Sequence, residues 1–406
     1  MSNTAAQRPT FEALKRAAIG TYWSNRNSDG KHFKNYGAST SPSIGSLKAF
    51  KWALSRLCRG RAKPKDGYEG FGKTWYAPCN VGESVAEWRR TGTDKCADRV
   101  YFIGHATQLL CLGSGVNVLF DPIFSYRASP LSFAGPARCY PPATSIDQLP
   151  PIHIVTVSHN HFDHLDKKSL MALYKRFPDI HFVLPLKMER LLQGWGISPT
   201  SITTLDWYED CELLGVRIGC TPAQHWGKRS MFDDNEVLWC GWCVGWKPSE
   251  ATADVGFTAV APEEKKQLSF SHNDDDAAPA VDPETAAAQQ SWNQYKKYFF
   301  TGDTAYNAAV STSIYAHFGP MDMAGLPIGA YSPRWLMSLA HIDPEHAVQI
   351  FQDQHIQKAM AVHWATFELT EEPLDEPQEV LVEALKAAGI DESRFQAIPM
   401  GNFIDF

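Results

Sequence analysis

The stretch Ile154-Val-Thr-Val-Ser-His159-Asn-His161-Phe-Asp163-His164-Leu165 carries three histidines and an aspartate within six positions. Its first four residues are β-prone and predict a buried strand. His159 and His161 stand two positions apart, a spacing that places both rings on the same side of an extended chain. Asp163 and His164 follow where the chain turns, so they can serve a second centre beside the first. Because imidazole and carboxylate groups suit zinc and its neighbours, the stretch predicts a metal site at a strand end.

Three later segments repeat this arrangement of an apolar, strand-like run that ends in a ligand-type side chain. They end in His225, Asp303 and His363. The full set of candidate ligands is His159, His161, Asp163, His164, His225, Asp303 and His363. Two zinc ions can use most of this set, with Asp303 as the natural bridge because a carboxylate has two oxygens. The arrangement leaves room for a water or hydroxide between the metals.

The pattern His-x-His-x-Asp-His with a later His, Asp and His resembles the metallo-β-lactamase superfamily. Within it the chain closely resembles the N-acyl-phosphatidylethanolamine-hydrolysing phospholipase D family. The metal motif alone indicates only the superfamily, whereas Asp121-Pro-Ile-Phe-Ser125 and Pro327-Ile-Gly-Ala-Tyr331 are far more specific. The resemblance covers about residues 95 to 406 apart from one insert. Its other stretches are Gly104-His-Ala-Thr107, Arg127-Ala-Ser-Pro130, residues 158–166, Gln224-His-Trp226, Gly302-Asp-Thr304, Pro333-Arg-Trp335, residues 341–344 and His363-Trp364.

The order of the elements indicates the fold class. Repeated strand-to-loop units followed by helices predict two β-sheets that pack together with helices outside them. The resemblance supplies the name of this α/β fold, the metallo-β-lactamase αββα sandwich, a four-layer arrangement of the α+β type. The sequence shows no sign of a second catalytic domain.

The resemblance also implies an activity. It implies a zinc-dependent phosphodiesterase of phospholipase D type, which hydrolyses N-acyl-phosphatidylethanolamine to N-acylethanolamine and phosphatidic acid. In this hypothesis a hydroxide that bridges the two zinc ions attacks phosphorus, because paired cations can hold the charge of the transition state. One zinc is held by His159, His161 and His225, the other by Asp163, His164 and His363, and Asp303 contacts both.

Further roles complete the predicted site. Asp163 and Asp303 count as catalytic residues as well as metal ligands. The family places a histidine equivalent to His341 by the metals, where it faces substrate and orients it or assists proton transfer. Asp121 is a candidate to hold a metal-binding imidazole in its tautomer, and His105 is a candidate to approach the site. A purely structural role stays open for His105 and Asp121.

Composition indicates a globular protein with a sizeable core, since 44% of its 406 residues are hydrophobic and 12% are aromatic. No run of 18 apolar residues occurs, so no transmembrane helix is expected, and the N-terminus lacks the apolar core of a signal peptide. The nine cysteines are odd in number and scattered, which favours a reducing compartment over a disulfide framework. We therefore expect an intracellular protein that is soluble or peripherally bound to a membrane.

Charge is segregated along the chain and suggests its domain organisation. Residues 1–75 hold fourteen Lys or Arg against four Asp or Glu, whereas residues 248–292 hold nine acidic residues against two lysines. We predict a basic N-terminal extension over residues 1–95, a metallo-β-lactamase domain over residues 96–406, and a disordered acidic insert at residues 248–292. Within the extension, a basic amphipathic helix from Ser46 to about residue 59 either lies on a membrane surface or docks onto the domain.

Two motifs match known patterns without the required context. Gly67-Tyr-Glu-Gly-Phe-Gly-Lys-Thr74 fits the phosphate-binding loop, but no apolar strand precedes it and Pro78 stands where the following helix should begin. Trp239-Cys-Gly-Trp-Cys243 resembles a thioredoxin-type redox motif, but it continues as a strand, so core packing is the better interpretation.

The expected partners are a phospholipid substrate and a membrane surface contacted by the basic N-terminal region. Nucleic acid is not expected, because no recognised binding motif accompanies the basic charge. A homodimer is implied by resemblance alone. Two alternatives stay open: another hydrolase on the same fold, such as a lactonase or a nuclease, and a catalytically silent lipid-binding protein.

Overall fold

The computed structural model describes residues 28–36, 62–91, 97–230, 232–247 and 283–406. Within these residues two seven-stranded sheets pack face to face. Aromatic side chains of the two sheets meet between them: the ring centroid of Phe120 lies 5.3 Å from that of Tyr298 and 5.1 Å from that of Phe300. All three side chains are buried, so the space between the sheets forms the main hydrophobic core.

The first sheet combines strands from the N-terminal half with the last strand of the chain. Its strands are β1 Arg99–Gly104, β2 Thr107–Cys111, β3 Asn117–Phe120, β4 Ile154–Thr156, β5 His181–Pro185, β6 Ile202–Leu205 and β14 Phe403–Asp405. Their spatial order is β14-β1-β2-β3-β4-β5-β6. Strands β3 to β6 run parallel, and β2 is antiparallel to both β1 and β3.

The second sheet contains the strands of the C-terminal half. They are β7 Asp210–Leu213, β8 Val216–Thr221, β9 Gly241–Trp246, β10 Lys296–Phe300, β11 Met323–Pro327, β12 Lys358–Val362 and β13 Phe395–Gln396. The order is β13-β12-β11-β10-β9-β8-β7. Strands β10 to β13 run parallel, and β8 shares their direction because β8 and β10 are both antiparallel to β9.

Helices cover the outer faces of both sheets. They are α1 Gly67–Trp75, α2 Val81–Thr91, α3 Lys167–Arg176, α4 Glu189–Gly194, α5 Pro283–Trp292, α6 Ala308–Phe318, α7 Arg334–Met337, α8 Pro344–Asp353 and α9 Glu376–Ala388. Apolar residues of α2, α3 and α4 pack on the first sheet, and those of α6, α8 and α9 join the core that contains the second sheet. This arrangement confirms the predicted four-layer αββα sandwich.

Helices α1 and α2 belong to the domain, which corrects the predicted boundary between residues 95 and 96. Phe71 of α1 and Val85 of α2 are buried in the hydrophobic core. The ring of Trp75 meets the ring of Trp364 edge to face, with centroids 4.9 Å apart. Basic residues dominate the composition of this region, so these apolar positions did not stand out in the sequence. The predicted membrane-surface helix lies outside the described residues.

The end of the predicted acidic insert also belongs to the core. Helix α5 forms the last ten residues of that segment, and Trp292 at its end is fully buried. The Trp292 ring lies 5.0 Å from the ring of Phe318, and the guanidinium of Arg217 lies 4.2 Å from the Trp292 ring. The predicted C-terminal limit of the insert is therefore wrong, because one large aromatic side chain anchors this end. Residues 248–282 lie outside the described residues.

Neither motif has the structure that its pattern would require. The phosphate-loop pattern lies within helix α1 and leaves no loop to hold a phosphate. Cys240 and Cys243 are buried free cysteines, and Cys243 lies in strand β9. Among the described helices, none combines the length and apolar character needed to cross a bilayer.

Candidate metal centre

The candidate ligands meet at one edge of the sandwich because the strands before them point the same way. Parallel strands bring their carboxyl ends to the same edge of a sheet, and the loops that follow them meet there. The side chains at this edge are Asp121 after β3, residues 158–164 after β4, His225 after β8, Asp303 after β10 and His363 after β12. The structure thus brings all seven candidates together, and their role as metal ligands stays a prediction.

Asp303 lies at the centre of the cluster and is 3% exposed. Its Oδ2 atom is within 4.0 Å of ring nitrogens on five histidines. The distances are 3.1 Å to His164 Nε2, 3.2 Å to His363 Nε2, 3.7 Å to His341 Nδ1, 3.9 Å to His159 Nε2 and 4.0 Å to His225 Nε2. Its Oδ1 atom is buried and has no hydrogen-bond partner in the described part of the chain. One carboxylate therefore faces two groups of imidazoles at once.

The first group, called here the three-histidine pocket, consists of His159, His161 and His225. His161 Nδ1 lies 2.8 Å from His159 Nε2 and 3.2 Å from His225 Nε2. Burial lowers the pKa of His161 to about 4 and holds the pKa values of His159 and His225 well below the usual range. All three rings are therefore neutral near pH 7, which is the form that binds a metal ion.

The partners of these rings assign their tautomers. His225 Nδ1 lies 2.8 Å from the carbonyl oxygen of Ala340, which can only accept, so His225 Nε2 carries a lone pair. Ser158 donates its only hydroxyl hydrogen to Asp121 at 2.6 Å, so it accepts from His159 Nδ1 at 2.9 Å. His159 Nε2 therefore also carries a lone pair. Two lone pairs converge on His161 Nδ1, which can offer at most one hydrogen, so a shared cation fits this pocket.

The second group, called here the carboxylate pocket, consists of Asp163, His164 and His363. Asp163 Oδ2 lies 3.5 Å from His164 Nε2 and 3.7 Å from His363 Nε2. Burial opposes charge on these rings, but contact with Asp303 and Asp163 outweighs it, raising the pKa of His363 to about 9 and that of His164 well above its usual range. Burial likewise opposes charge on Asp163 and Asp303, yet the imidazoles beside them, His164 first, hold both pKa values low. Two carboxylates, one buried and one 15% exposed, with facing imidazoles are a donor set that suits a divalent cation.

Asp121 is linked by hydrogen bonds to one histidine of each pocket. Its Oδ2 atom accepts from His164 Nδ1 at 2.6 Å and from the Ser158 hydroxyl at 2.6 Å, and its Oδ1 atom accepts from the Ser158 main-chain nitrogen at 2.7 Å. The side chain is fully buried. Asp121 is thus hydrogen-bonded to His164 directly and to His159 through Ser158, and its role in orienting a metal ligand stays a prediction.

His105 and His341 flank the cluster on different sides. His105 Nε2 lies 3.1 Å from Asp163 Oδ2, and burial lowers the pKa of His105 to about 3, so its neutral ring donates to that carboxylate. His341 Nδ1 lies 3.7 Å from Asp303 Oδ2, and its side chain is 18% exposed. Both histidines lie beside the candidate ligands, and their roles stay predictions.

The sequence reasoning missed residues that hold the ligand loop in place. Arg229 donates through Nη1 to the carbonyl oxygens of Asn160 at 3.0 Å and Leu165 at 2.8 Å, and its guanidinium lies 4.1 Å from the Phe162 ring. The Ser158 hydroxyl could have been suspected from its place directly before His159. No sequence signal pointed to Arg229, because it recognises carbonyl oxygens and not side chains.

The fold and the sequence both match known proteins. Residues 116–269 and 287–364 match the Beta-lactamase superfamily domain. The crystal structure of isothiocyanate hydrolase from Delia radicum gut bacteria matches with a TM-score of 0.50 at 17% identity, covering 76% of this chain and 98% of that one. The protein is therefore a metallo-hydrolase of the β-lactamase fold, a class that binds divalent metal through such a histidine and aspartate cluster.

Relatives with more similar sequences identify the family within this class. N-acyl-phosphatidylethanolamine-hydrolyzing phospholipase D 1 of Caenorhabditis elegans is 30% identical over 309 residues, which are 74% of this chain and 73% of that protein. The mitochondrial enzyme of the same name from Saccharomyces cerevisiae is 28% identical, over 66% of this chain and 48% of its own length. An uncharacterized protein of Mycobacterium tuberculosis is 31% identical, over 74% of this chain and 66% of its own length. The chain belongs to the N-acyl-phosphatidylethanolamine-hydrolysing phospholipase D family.

Proposed function

We propose that this chain hydrolyses N-acyl-phosphatidylethanolamine to N-acylethanolamine and phosphatidic acid, with two zinc ions at the candidate centre. The observation that carries the proposal is the position of Asp303, whose Oδ2 atom faces ring nitrogens of both pockets at 3.1 to 4.0 Å. A metal in each pocket, with one carboxylate between them, is an arrangement suited to a phosphodiester. The names of the nematode and yeast relatives support the choice of substrate.

In this proposal the three-histidine pocket would hold one zinc, the carboxylate pocket would hold the other, and Asp303 lies where its carboxylate could contact both. The zinc ions supply a lowered pKa for water and positive charge for the phosphodiester oxygens. Asp163 and Asp303 keep the ions in place, and Asp121 and His105 orient the side chains that hold them.

His341 and His161 are the two partly exposed histidines of the centre, and of these His341 is not one of the proposed zinc ligands. Its side chain is 18% exposed, whereas those of His159, His164, His225 and His363 are at most 1% exposed. Burial lowers the pKa of His341 to about 4, so its ring is neutral at physiological pH. A neutral imidazole can hydrogen-bond a phosphate oxygen or pass a proton to the leaving alcohol. We therefore assign His341 to substrate orientation and proton transfer.

The chain segment before His341 supports a lipid substrate. Trp335 in α7 and Leu339, two residues after the end of α7, are 57% and 38% exposed. Large apolar side chains exposed within six residues of His341 in the chain favour contact with acyl chains, whereas a nuclease should line its opening with basic residues. This observation favours the phospholipid over an RNA substrate.

The decisive experiment follows the oxygen atom of water. The full chain, loaded with zinc, is incubated with N-acyl-phosphatidylethanolamine in ¹⁸O-water, and the products are analysed by mass spectrometry. Attack at phosphorus places the label in phosphatidic acid, whereas label in a released fatty acid would refute the proposal. Parallel incubations contain a lactone and an RNA oligonucleotide. Turnover of only one of these would favour the lactonase or nuclease alternative, and lipid binding without any turnover would favour the silent binding protein.

The proposal includes a membrane surface as partner, because the substrate resides in a bilayer and residues 1–75 are strongly basic. Flotation of the full chain with anionic and with neutral vesicles tests this part, and equal recovery with both would contradict it. A homodimer remains a prediction from resemblance, which light scattering of the purified chain can decide.

A further inference from the structure

The N-terminal segment formed by residues 28–36 is docked against the loops that carry the three-histidine pocket. Phe33 is 2% exposed, and its main-chain nitrogen donates to the carbonyl oxygen of Asn235 at 2.8 Å. From the other side, Lys187 Nζ donates to the carbonyl oxygens of Gly30 at 2.9 Å and Lys31 at 3.1 Å. A segment of the region that composition assigns to a basic extension is thus part of the folded domain.

Asn35, near the end of this segment, pairs its side-chain amide with the main chain of His225. Asn35 Nδ2 donates to the carbonyl oxygen of His225 at 2.9 Å, and Asn35 Oδ1 accepts from the main-chain nitrogen of His225 at 3.0 Å. The same Oδ1 atom accepts from Trp239 Nε1 at 3.0 Å. Asn35 is 3% exposed and His225 is fully buried, so the pairing is sealed from water.

This contact matters because His225 lies beyond the end of β8, where no sheet neighbour supplies its hydrogen bonds. A buried peptide outside regular structure takes its partners from side chains, and here Asn35 satisfies both its donor and its acceptor. The preceding residue, Gln224, is tied to the Asp303 loop, since its main-chain nitrogen donates to Thr304 Oγ1 at 2.9 Å and its carbonyl oxygen accepts from Ala305 at 2.8 Å. His225 is therefore clamped between the N-terminal segment and the loop that carries Asp303.

The His225 ring is fixed as well, through its contact with the Ala340 carbonyl oxygen at 2.8 Å. With both the main chain and the ring restrained, His225 Nε2 can point only toward His161 and Asp303. The carboxylate pocket has a different support, because His164 is oriented by Asp121. Loss of the Asn35 amide should therefore affect one pocket and spare the other.

We propose that Asn35 is a positioning residue that sets the zinc affinity of the three-histidine pocket, so that one residue of the N-terminal segment supports the metal centre. The inference rests on the proposed two-zinc function and specifies how one of its pockets is built. Removal of an outer partner of a metal ligand typically weakens metal binding about 10- to 100-fold.

The test is a zinc titration of the metal-free full chain in competition with a chromophoric chelator. The wild-type chain should bind two equivalents, and Asn35→Ala should bind one of them about 10- to 100-fold more weakly while the other is unchanged. Asn35→Asp keeps the acceptor toward the His225 nitrogen but loses the donor, so it should also weaken a single equivalent. Lys31→Ala is the matched control, because the Lys31 side chain is 67% exposed and forms an ion pair with Glu236 at 3.1 Å. It should titrate like the wild type.

The double variant Asn35→Ala with Asp163→Asn identifies the affected pocket. Each single variant should weaken one equivalent, and the double variant should weaken both, since the two changes address different pockets. A double variant that titrates like Asp163→Asn alone would overturn the inference, as would equal weakening of both equivalents in Asn35→Ala. Unchanged titration of both Asn35 variants would also overturn it. A wild-type chain that binds no zinc would instead refute the proposed function. If Asn35→Ala does not fold, Asn35→Asp carries the same comparison.

Discussion

The three-histidine pocket and the carboxylate pocket share Asp303 but leave their histidines in opposite electrostatic states. In the three-histidine pocket burial prevails and lowers the pKa of His161 to about 4. In the carboxylate pocket burial acts in the same direction, but contact with Asp303 at 3.2 Å and the nearby Asp163 raise the pKa of His363 to about 9. The comparison teaches that direct contact with a carboxylate can override burial in deciding which form an imidazole takes.

The two pockets also differ in how their side chains are held. Asp121 accepts directly from His164, whereas it reaches His159 only through the hydroxyl of Ser158. His225 is held by the Ala340 carbonyl oxygen and by Asn35. The carboxylate pocket therefore depends on a direct hydrogen bond to a buried carboxylate. The three-histidine pocket depends more on hydrogen bonds that involve the main chain of distant segments.

The largest expected effect comes from removing what the pockets share. In Asp303→Asn an amide nitrogen replaces one carboxylate oxygen, so the bridge between the pockets loses its charge and one acceptor. We expect zinc binding to weaken more than about 100-fold in both pockets and hydrolysis to fall roughly 10²–10³-fold. Zinc content after dialysis and initial rates on N-acyl-phosphatidylethanolamine measure the two effects.

The matched control for this change is Asp147→Asn, whose side chain is 89% exposed. It removes the same charge at the surface and should retain both zinc ions and the full rate. If Asp303→Asn retained two zinc ions and normal turnover, Asp303 could not be the shared ligand.

A smaller loss of zinc affinity is expected when a hydrogen-bond partner of a candidate ligand is changed, and this loss should differ between the two pockets. In Asp121→Asn the direct partner of His164 loses its charge, so the carboxylate pocket should bind zinc about 10- to 100-fold more weakly. The three-histidine pocket should weaken less, because the Ser158 hydroxyl lies between. Ser158→Ala should affect the three-histidine pocket alone. Chelator competition on both variants measures these affinities, and an equal loss in both pockets for Ser158→Ala would contradict the assigned path.

The smallest expected effect concerns the stability of the metal-free chain, because the two pockets should contribute to its pH dependence in opposite directions. The pKa of His363 is raised to about 9, so its contribution to stability is present below the unfolded-state pKa of about 6.5 and is lost as pH rises toward 9. The pKa of His161 is lowered to about 4, so stability is lost instead as pH falls from about 6.5 toward 4.

Urea unfolding of the metal-free chain at a series of pH values checks this prediction. His363→Gln should reduce the alkaline loss of the free energy of unfolding, and His161→Gln should reduce the acid loss. The free energy of unfolding of the wild-type chain is measured in parallel, so that the contribution of groups that titrate in all three proteins can be subtracted. The opposite assignment, with His161→Gln acting only at alkaline pH, would show that the electrostatic contrast between the pockets is wrong.

The candidate ligands could be predicted from the sequence because each one lies in a loop that follows an apolar strand. Parallel strands then carry His159, Asp303 and His363 to a common edge without further information. The residues that hold these ligands could not be predicted, since their contacts join distant parts of the chain. Asn35 and His225 are separated by 190 positions, and Arg229 recognises carbonyl oxygens that every residue possesses.

The limits of the domain likewise could be determined only from the tertiary structure. Basic composition suggested that the chain before residue 96 is an extension, yet Phe71 and Val85 are buried against the sandwich. Acidic composition suggested an insert through residue 292, yet Trp292 is fully buried. In both regions a few apolar side chains determine the packing, and an average over many polar neighbours hides them.

By itself the sequence determined the fold class, the residue types of the centre and the strand ends on which they stand. These features depend on the local alternation and length of apolar segments, which can be read along the chain. Only the tertiary structure decided the tautomers, the directions of the pKa shifts and the partners of His225. Hydrogen-bond geometry and electrostatic interaction depend on distances of a few ångströms in a water-free interior, and such distances exist only after the chain has folded.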